Sequence, residues 1–132
     1  MPGTVAIYSP HDDIRLLLRS LLRLHHYRVV GEGATPGELR ALPGGADPAI
    51  VLDADLEEVG WTEAIQSLRR NRPQLKFVLV TASRSPRTDA QAHAVGVSAI
   101  LRRPFAMREL VETMRAVEPS EPIPAGNGGA PP

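Results

Sequence analysis

The sequence predicts an α/β fold, a single doubly wound, three-layer sheet of five parallel strands with helices on both faces. Three observations predict it. Short apolar runs at residues 4–8, 28–30, 49–53, 76–80 and 98–101 alternate with stretches of helical periodicity. The central runs Ala49-Ile50-Val51-Leu52 and Phe77-Val78-Leu79-Val80 are apolar without a polar alternation, the pattern of strands buried on both faces. Three runs also end on chemistry: the third on Asp53, the fourth on Thr81 and the small Ala82, and the fifth on Arg102-Arg103-Pro104. Ligands bind open α/β sheets outside the carboxyl ends of the strands, so carboxylate, hydroxyl and cation are expected to meet along that edge.

Each element has its own local reason. The first strand, 4–8, stops at Ser9-Pro10. Asp12 or Asp13 is expected to cap the first helix, since a carboxylate accepts from free amides and suits a positive helix start. Ile14, Leu17, Leu18, Leu21 and Leu22 give that helix a buried face, and Arg15, Arg19 and Arg23 form a stripe read as solvated. A short second strand, 28–30, is followed by Gly31-Glu32-Gly33, which lacks phosphate-loop spacing and reads as a turn. A weak helix over 36–42 ends at Pro43-Gly44-Gly45. After the central strand, 61–71 is a third helix with Trp61, Ile65 and Leu68 on one side and Pro73 beyond its end. The fourth, 88–95, is Ala-rich and stopped by Gly96. Phe105, Leu110, Val111, Met114 and Val117 mark the buried side of the last.

The chain has 132 residues, enough for one domain with a sizeable core. Residues 1–118 are assigned to that domain. The remaining 119–132 have the Pro/Gly composition of a linker or tail. Fifteen basic and fifteen acidic residues cancel, which argues against a nucleic-acid or membrane-surface role. With no Cys there are no disulfides, thiol catalysis or Cys-based zinc site. Arg interrupts the Leu-rich stretch at 15, 19 and 23, so nothing approaches membrane-spanning length. Met1-Pro2-Gly3-Thr4 has no basic n-region or apolar h-region, and a cytoplasmic location is expected. His11, His25, His26 and His93 are too scattered for a metal site, and no nucleophile–base pair or cofactor fingerprint points to an enzyme.

This order of elements, with Asp53, Thr81 and a basic–Pro pair closing the third, fourth and fifth strands, resembles the flavodoxin-like receiver domain of bacterial two-component response regulators over about residues 5–117. Val29-Val30-Gly31-Glu32, the run 77–82 and the run 96–105 carry the resemblance, with 22 residues separating Thr81 from Arg103. It implies that Asp53 stands at the phosphoacceptor position, open to a phosphoryl group from a histidine kinase. It also implies that Thr81, Ala82 and the base at 103 sit around the phosphate, and that the residue at 100 takes part in switching.

Four departures bear on that chemistry. The family's acid pair, which holds Mg²⁺, is replaced by Ser9-Pro10, and neither supplies a carboxylate. Arg103 stands where the family has Lys, and its planar fork suits a bidentate ion pair with Asp53. Ile100 replaces the aromatic switch residue. The loop 55–60 carries Asp55, Glu57 and Glu58, of which Asp55 is a compensating oxygen only if the chain leaves strand geometry.

Two functions follow. The first is a degenerate receiver, a signalling and protein-interaction module that is not an enzyme, needs no cofactor and does not depend on Mg²⁺-supported phosphorylation of Asp53. The second is a phospho-receiver with a non-standard metal site, for which Mg²⁺ would be required. A ligand-binding domain of the same fold is the remaining alternative. By the resemblance, the fourth helix, fifth strand and fifth helix form the partner face, here bearing Arg84, Arg87, Arg102, Arg108, Glu109 and Glu112. This mixed charge suits a protein partner or a weak homodimer.

Overall fold

Successive residues of a strand point to opposite faces, and this sequence supplies apolar side chains for both. The computed structural model describes residues 3–45 and 47–117, so the linker expectation for 119–132 lies outside the described residues. Its elements are β1 (Thr4–Tyr8), α1 (Asp12–Leu24), β2 (Arg28–Gly33), α2 (Pro36–Arg40), β3 (Ala49–Asp53), α3 (Trp61–Asn71), β4 (Phe77–Thr81), α4 (Pro86–Val95), β5 (Ala99–Arg102) and α5 (Met107–Val117). All strand pairs are parallel, in the order β2-β1-β3-β4-β5.

Alternation divides the core. Val5, Ile7, Val51, Val78 and Val80 face α1 and α5, where Leu18, Leu22, Leu110 and Met114 cover them. Ala6, Tyr8, Ile50, Leu52, Phe77 and Leu79 face the other layer, against Leu39, Trp61, Ile65 and Ala92. With two Phe, two Tyr and one Trp in the chain, branched aliphatics fill most of both layers.

Several local expectations are corrected. Asp12 and Asp13 do not cap α1: His11 is the N-cap, without a side-chain bond, and both acids lie in the first turn. There they still complement the positive helix start. Leu17 does not join the buried face but is 46 % exposed, because Leu18 and Leu22 already occupy the inward side. The second strand continues through Gly31 and Gly33 instead of turning. A Cβ on Gly33 would sit 2.9 Å from the Tyr8 ring, so the glycines leave room for that ring beside the edge strand. The second helix is shorter, capped by Thr35 accepting from the Glu38 N–H at 3.1 Å, while Glu38 accepts from the Ala34 N–H. The fourth begins earlier, at Pro86, because Ser85 caps it and proline suits a first helical position.

Gly96 ends α4 in a left-handed conformation, φ +85°, and a Cβ there would stand 2.6 Å from Arg69 Nε. Replacing Gly96 with Ala is therefore expected to destabilise the fold by about 1–2 kcal/mol, measured as a lower urea midpoint at unchanged slope.

Candidate functional site

The carboxyl ends of β1, β3, β4 and β5 converge because parallel strands with crossover helices all finish on the same edge. Asp53 closes β3 and is 2 % exposed. A buried ionised carboxylate needs hydrogen bonds and counter-charge. Ser9 Oγ, fully buried just after β1, donates to Asp53 Oδ2 at 2.7 Å. Arg103, after β5, places Nη2 3.5 Å from Asp53 Oδ1. The three residues thus tie together the ends of three strands.

Each is held by its own neighbours. Ser9 N–H donates to Gly33 O, Arg15 Nη1 donates to Ser9 O at 2.7 Å, and Ser9 Oγ also accepts from the His11 N–H. Arg15 is thereby withdrawn from the solvated stripe expected of it, and Arg19 reaches Glu32 at 3.2 Å. The Arg103 N–H donates to Thr81 O at 2.8 Å, and the Arg103–Pro104 peptide is cis. The expected ion pair between Asp53 and Arg103 forms, but its contact of 3.5 Å is too long for a bidentate, hydrogen-bonded fork. One guanidinium nitrogen approaches one oxygen, Ser9 holds the other, and Arg103 Nε is buried with no hydrogen-bond partner among the described residues.

A cavity of about 300 Å³ opens over this group, lined by Asp53, Asp55, Thr81, Ala82 and Arg103. Sequence reasoning brought those five together. It missed His11, which also lines the cavity, and the Ser83–Thr88 hydroxyl pair, 2.6 Å apart. Thr81 Oγ accepts from the Ser83 N–H at 3.0 Å. Asp55 is exposed and accepts from the Glu57 N–H at 2.9 Å, so its carboxylate caps a turn at the rim. Outside the cavity, Arg87 Nη2 meets Glu57 Oε1 of its lining at 3.5 Å. His11 could have been found, because it lies three residues beyond the end of β1. The hydroxyl pair carries no sequence signal beyond ordinary helix-start residues.

The remaining positions lie elsewhere. Pro10 is exposed and does not line the cavity. Ile100 lines a separate groove with Arg84, Arg102, Glu109 and Glu112 between β5 and α5, and Arg102 there pairs with Asp89 of α4. Glu109 turns back to accept from the Ala106 N–H. Arg87 pairs with Glu57 and does not line that groove, and Arg108 is exposed on α5.

A divalent cation at Asp53 would need several oxygen ligands in a near-octahedral shell. The donor set does not fit one. One Asp53 oxygen is taken by Ser9, the other faces a guanidinium, and no His, Asp or Glu group of three or more among the described residues is placed to hold a metal. Replacing Ser9 with Ala leaves the buried carboxylate short of a donor. The expected loss is about 1–3 kcal/mol in urea unfolding, with the fold retained by circular dichroism.

A family model described as the response regulator receiver domain matches residues 5–115. Among curated proteins, the chain is similar to the response regulator GacA of Pseudomonas aeruginosa, 25% identical over 115 residues, covering 86% of this chain and 54% of that one. It is also similar to the response regulator protein VraR of Staphylococcus aureus, 23% identical over 121 residues, covering 90% of this chain and 58% of the relative. The chain thus spans little more than half the length of these relatives. Among solved structures, a CheY-like receiver domain from Methanospirillum hungatei superposes with TM-score 0.75 at 22% identity, covering 88% of this chain and 93% of the other. The chemotaxis protein CheY4 of Vibrio cholerae does so with TM-score 0.78 at 21% identity, covering 89% and 100%. At these identities the structural likeness speaks for the fold.

Proposed function

Because the chain belongs to the response regulator receiver domain family, we propose that it serves two-component signalling as a protein-interaction module whose output does not run through Mg²⁺-dependent phosphorylation of Asp53. The observation that carries this reading is the Ser9–Asp53 hydrogen bond, 2.7 Å long and buried, standing where an acid pair would hold a cation. Phosphoryl transfer to a carboxylate sets anionic oxygens against an anion, so the site must supply positive charge and fix the geometry. Losing a catalytic metal removes several kcal/mol of that stabilisation, a slowing of roughly a thousandfold or more. Arg103 contributes one cation, already committed to the resting carboxylate.

Switching is weakened on a second count. Ile100 is β-branched and stiff at its first torsion, with no ring to swing. A ligand at Asp53 that makes little differential contact with two states shifts no population. The partner face in this reading is the groove of Arg84, Arg102, Glu109 and Glu112 with Arg108 beside it, and the partners are signalling proteins, a histidine kinase among them.

The second reading, a phosphoryl group accepted by Asp53, is supported by the cavity, whose lining includes Thr81, Ala82 and Arg103 as well as that carboxylate. Trp61, buried at the start of α3 just after the acidic loop, reports on both. Mg²⁺ with beryllofluoride is expected to leave Trp61 fluorescence unchanged, whereas the Ser9→Asp/Pro10→Asp variant should gain a saturable Mg²⁺ response. A dissociation constant well below about 1 mM in the unaltered chain would establish the second reading instead.

Asp53→Ala is expected to leave binding to a signalling partner within about threefold, under roughly 0.7 kcal/mol, in a titration with the folded variant. Complete loss of that binding would make Asp53 a true switch.

A further inference from the structure

Fifteen basic and fifteen acidic residues cancel over the chain, but the fold does not mix them. The neutrality that argued against a nucleic-acid role holds for the sum and not for the surface. In a parallel sheet every crossover helix runs back against the strands, so the helices finish at the amino edge, opposite Asp53. Helices α1, α3 and α5 each open on acids and close on arginine: Arg23 in α1, Arg69 and Arg70 in α3, Arg115 in α5. Arg28 begins β2 on the same edge, and Arg72 and Lys76 lie in the short link between α3 and β4. Seven bases thus gather at this pole, and Asp47, just before β3, is the one acid placed there among the described residues.

Pairing separates the two edges as well. Toward the carboxyl edge Arg15, Arg87, Arg102 and Arg103 each face a carboxylate. At the amino edge only Arg72 does, holding Asp47. Arg23, Arg28, Arg70, Lys76 and Arg115 are exposed, without an ion pair or side-chain hydrogen bond among the described residues. The helix dipole accounts for arginine in a last turn. It does not account for Arg28 and Lys76, which stand at strand starts, nor for the lack of carboxylates to answer them. The missing acids identify the partner. Protein surfaces carry both signs interspersed, so a protein docked here would bring cations with nothing to meet, Asp47 being taken by Arg72. A nucleic-acid duplex brings phosphates alone, one negative charge per about 1.7 Å of its axis. Single strands need aromatic rings to stack on, and here Tyr8, Tyr27, Trp61 and Phe77 are buried while Phe105 lies beyond the carboxyl end of β5.

We infer that the amino pole of the sheet is a docking surface for the phosphate backbone of duplex nucleic acid, read without regard to sequence. The inference goes beyond the signalling reading and involves neither Asp53 nor the groove between β5 and α5. The acids at the opposite edge orient the domain with this pole toward the duplex, and they hold the affinity down because the whole chain carries no net charge.

Fluorescence anisotropy of a labelled duplex of about 20 base pairs, titrated with the full chain, tests it. The expected dissociation constant is on the order of 10 µM at about 25 mM salt, and log K should fall with log salt at a slope near about −4. Scrambling the duplex sequence should change binding less than about twofold. Arg70→Glu and Arg115→Glu, on helices that cover opposite faces of the sheet, should each weaken binding about fivefold or more and flatten the slope by about one. Arg40→Glu changes the net charge equally, but Arg40 lies within electrostatic reach of Glu63 in the first turn of α3, away from the pole, and its effect should stay under about twofold. Circular dichroism of each variant keeps a folding defect from passing as a lost contact. No anisotropy change up to about 500 µM protein at about 25 mM salt overturns the inference. So does an equal loss in all three variants, which would reduce the binding to net charge. Polyglutamate that displaces the duplex as well as unlabelled DNA of equal charge would assign the pole to an acidic protein instead. Binding to phosphatidylserine-containing phosphatidylcholine vesicles without binding to the duplex would assign it to a membrane surface.

Discussion

The hydrogen bond from Ser9 to Asp53 is the constraint on which the carboxyl edge of the sheet depends. A carboxylate 2 % exposed is tolerable only while it is hydrogen-bonded and faced by positive charge. Ser9 supplies the first and Arg103 the second, and their own anchors propagate the demand outward. Ser9 is fixed by the Gly33 carbonyl from β2 and by Arg15 from α1, and Arg103 by the Thr81 carbonyl from β4. One buried charge thus recruits all five strands and the first helix. A divalent cation in its place would organise the same edge only when present; serine and arginine do so as part of the chain.

That economy explains the partial character of the site. The cavity keeps an acceptor, a hydroxyl and a cation around one opening, which is the outline of phosphoryl chemistry. The acceptor's two oxygens are already addressed, however, and the arginine sits at 3.5 Å from one of them instead of free to close on an incoming group. Membership of the receiver family fixes the architecture. What the architecture does is set by which side chains stand at the strand ends.

Much of this was legible in the sequence, and for identifiable reasons. The strands β3 and β4 read plainly because both of their faces are buried, so every position before the terminal Asp53 and Thr81 is apolar. Asp53, Thr81 and Arg103 were readable as neighbours because parallel topology dictates which ends meet. Harder were features decided by tertiary competition. Leu17 has the same local spacing as Leu18, and only the crowding of the inner side turns it outward. Gly31-Glu32-Gly33 looks like a turn until the Tyr8 ring on the next strand shows why glycine is needed within a strand. The expected Asp12 or Asp13 cap failed by one residue, a margin that composition alone cannot resolve, since His11 offers no side-chain bond to mark the boundary. The single-contact geometry of Arg103 accompanies the bond from Ser9, which is 94 residues away in sequence.

The two ion pairs of the cavity answer to different variables. Arg87 and Glu57, the outer pair, are 72 % and 50 % exposed, and such a pair is worth little and is screened by salt. In the inner pair Asp53 is 3 % exposed and Arg103 34 %, so added ions reach it only from the arginine's side. Raising the ionic strength therefore weakens the outer pair more than the inner one. The cavity thus has a rim whose charge contact follows the salt content of its surroundings and a floor held chiefly by the buried bond between Ser9 and Asp53.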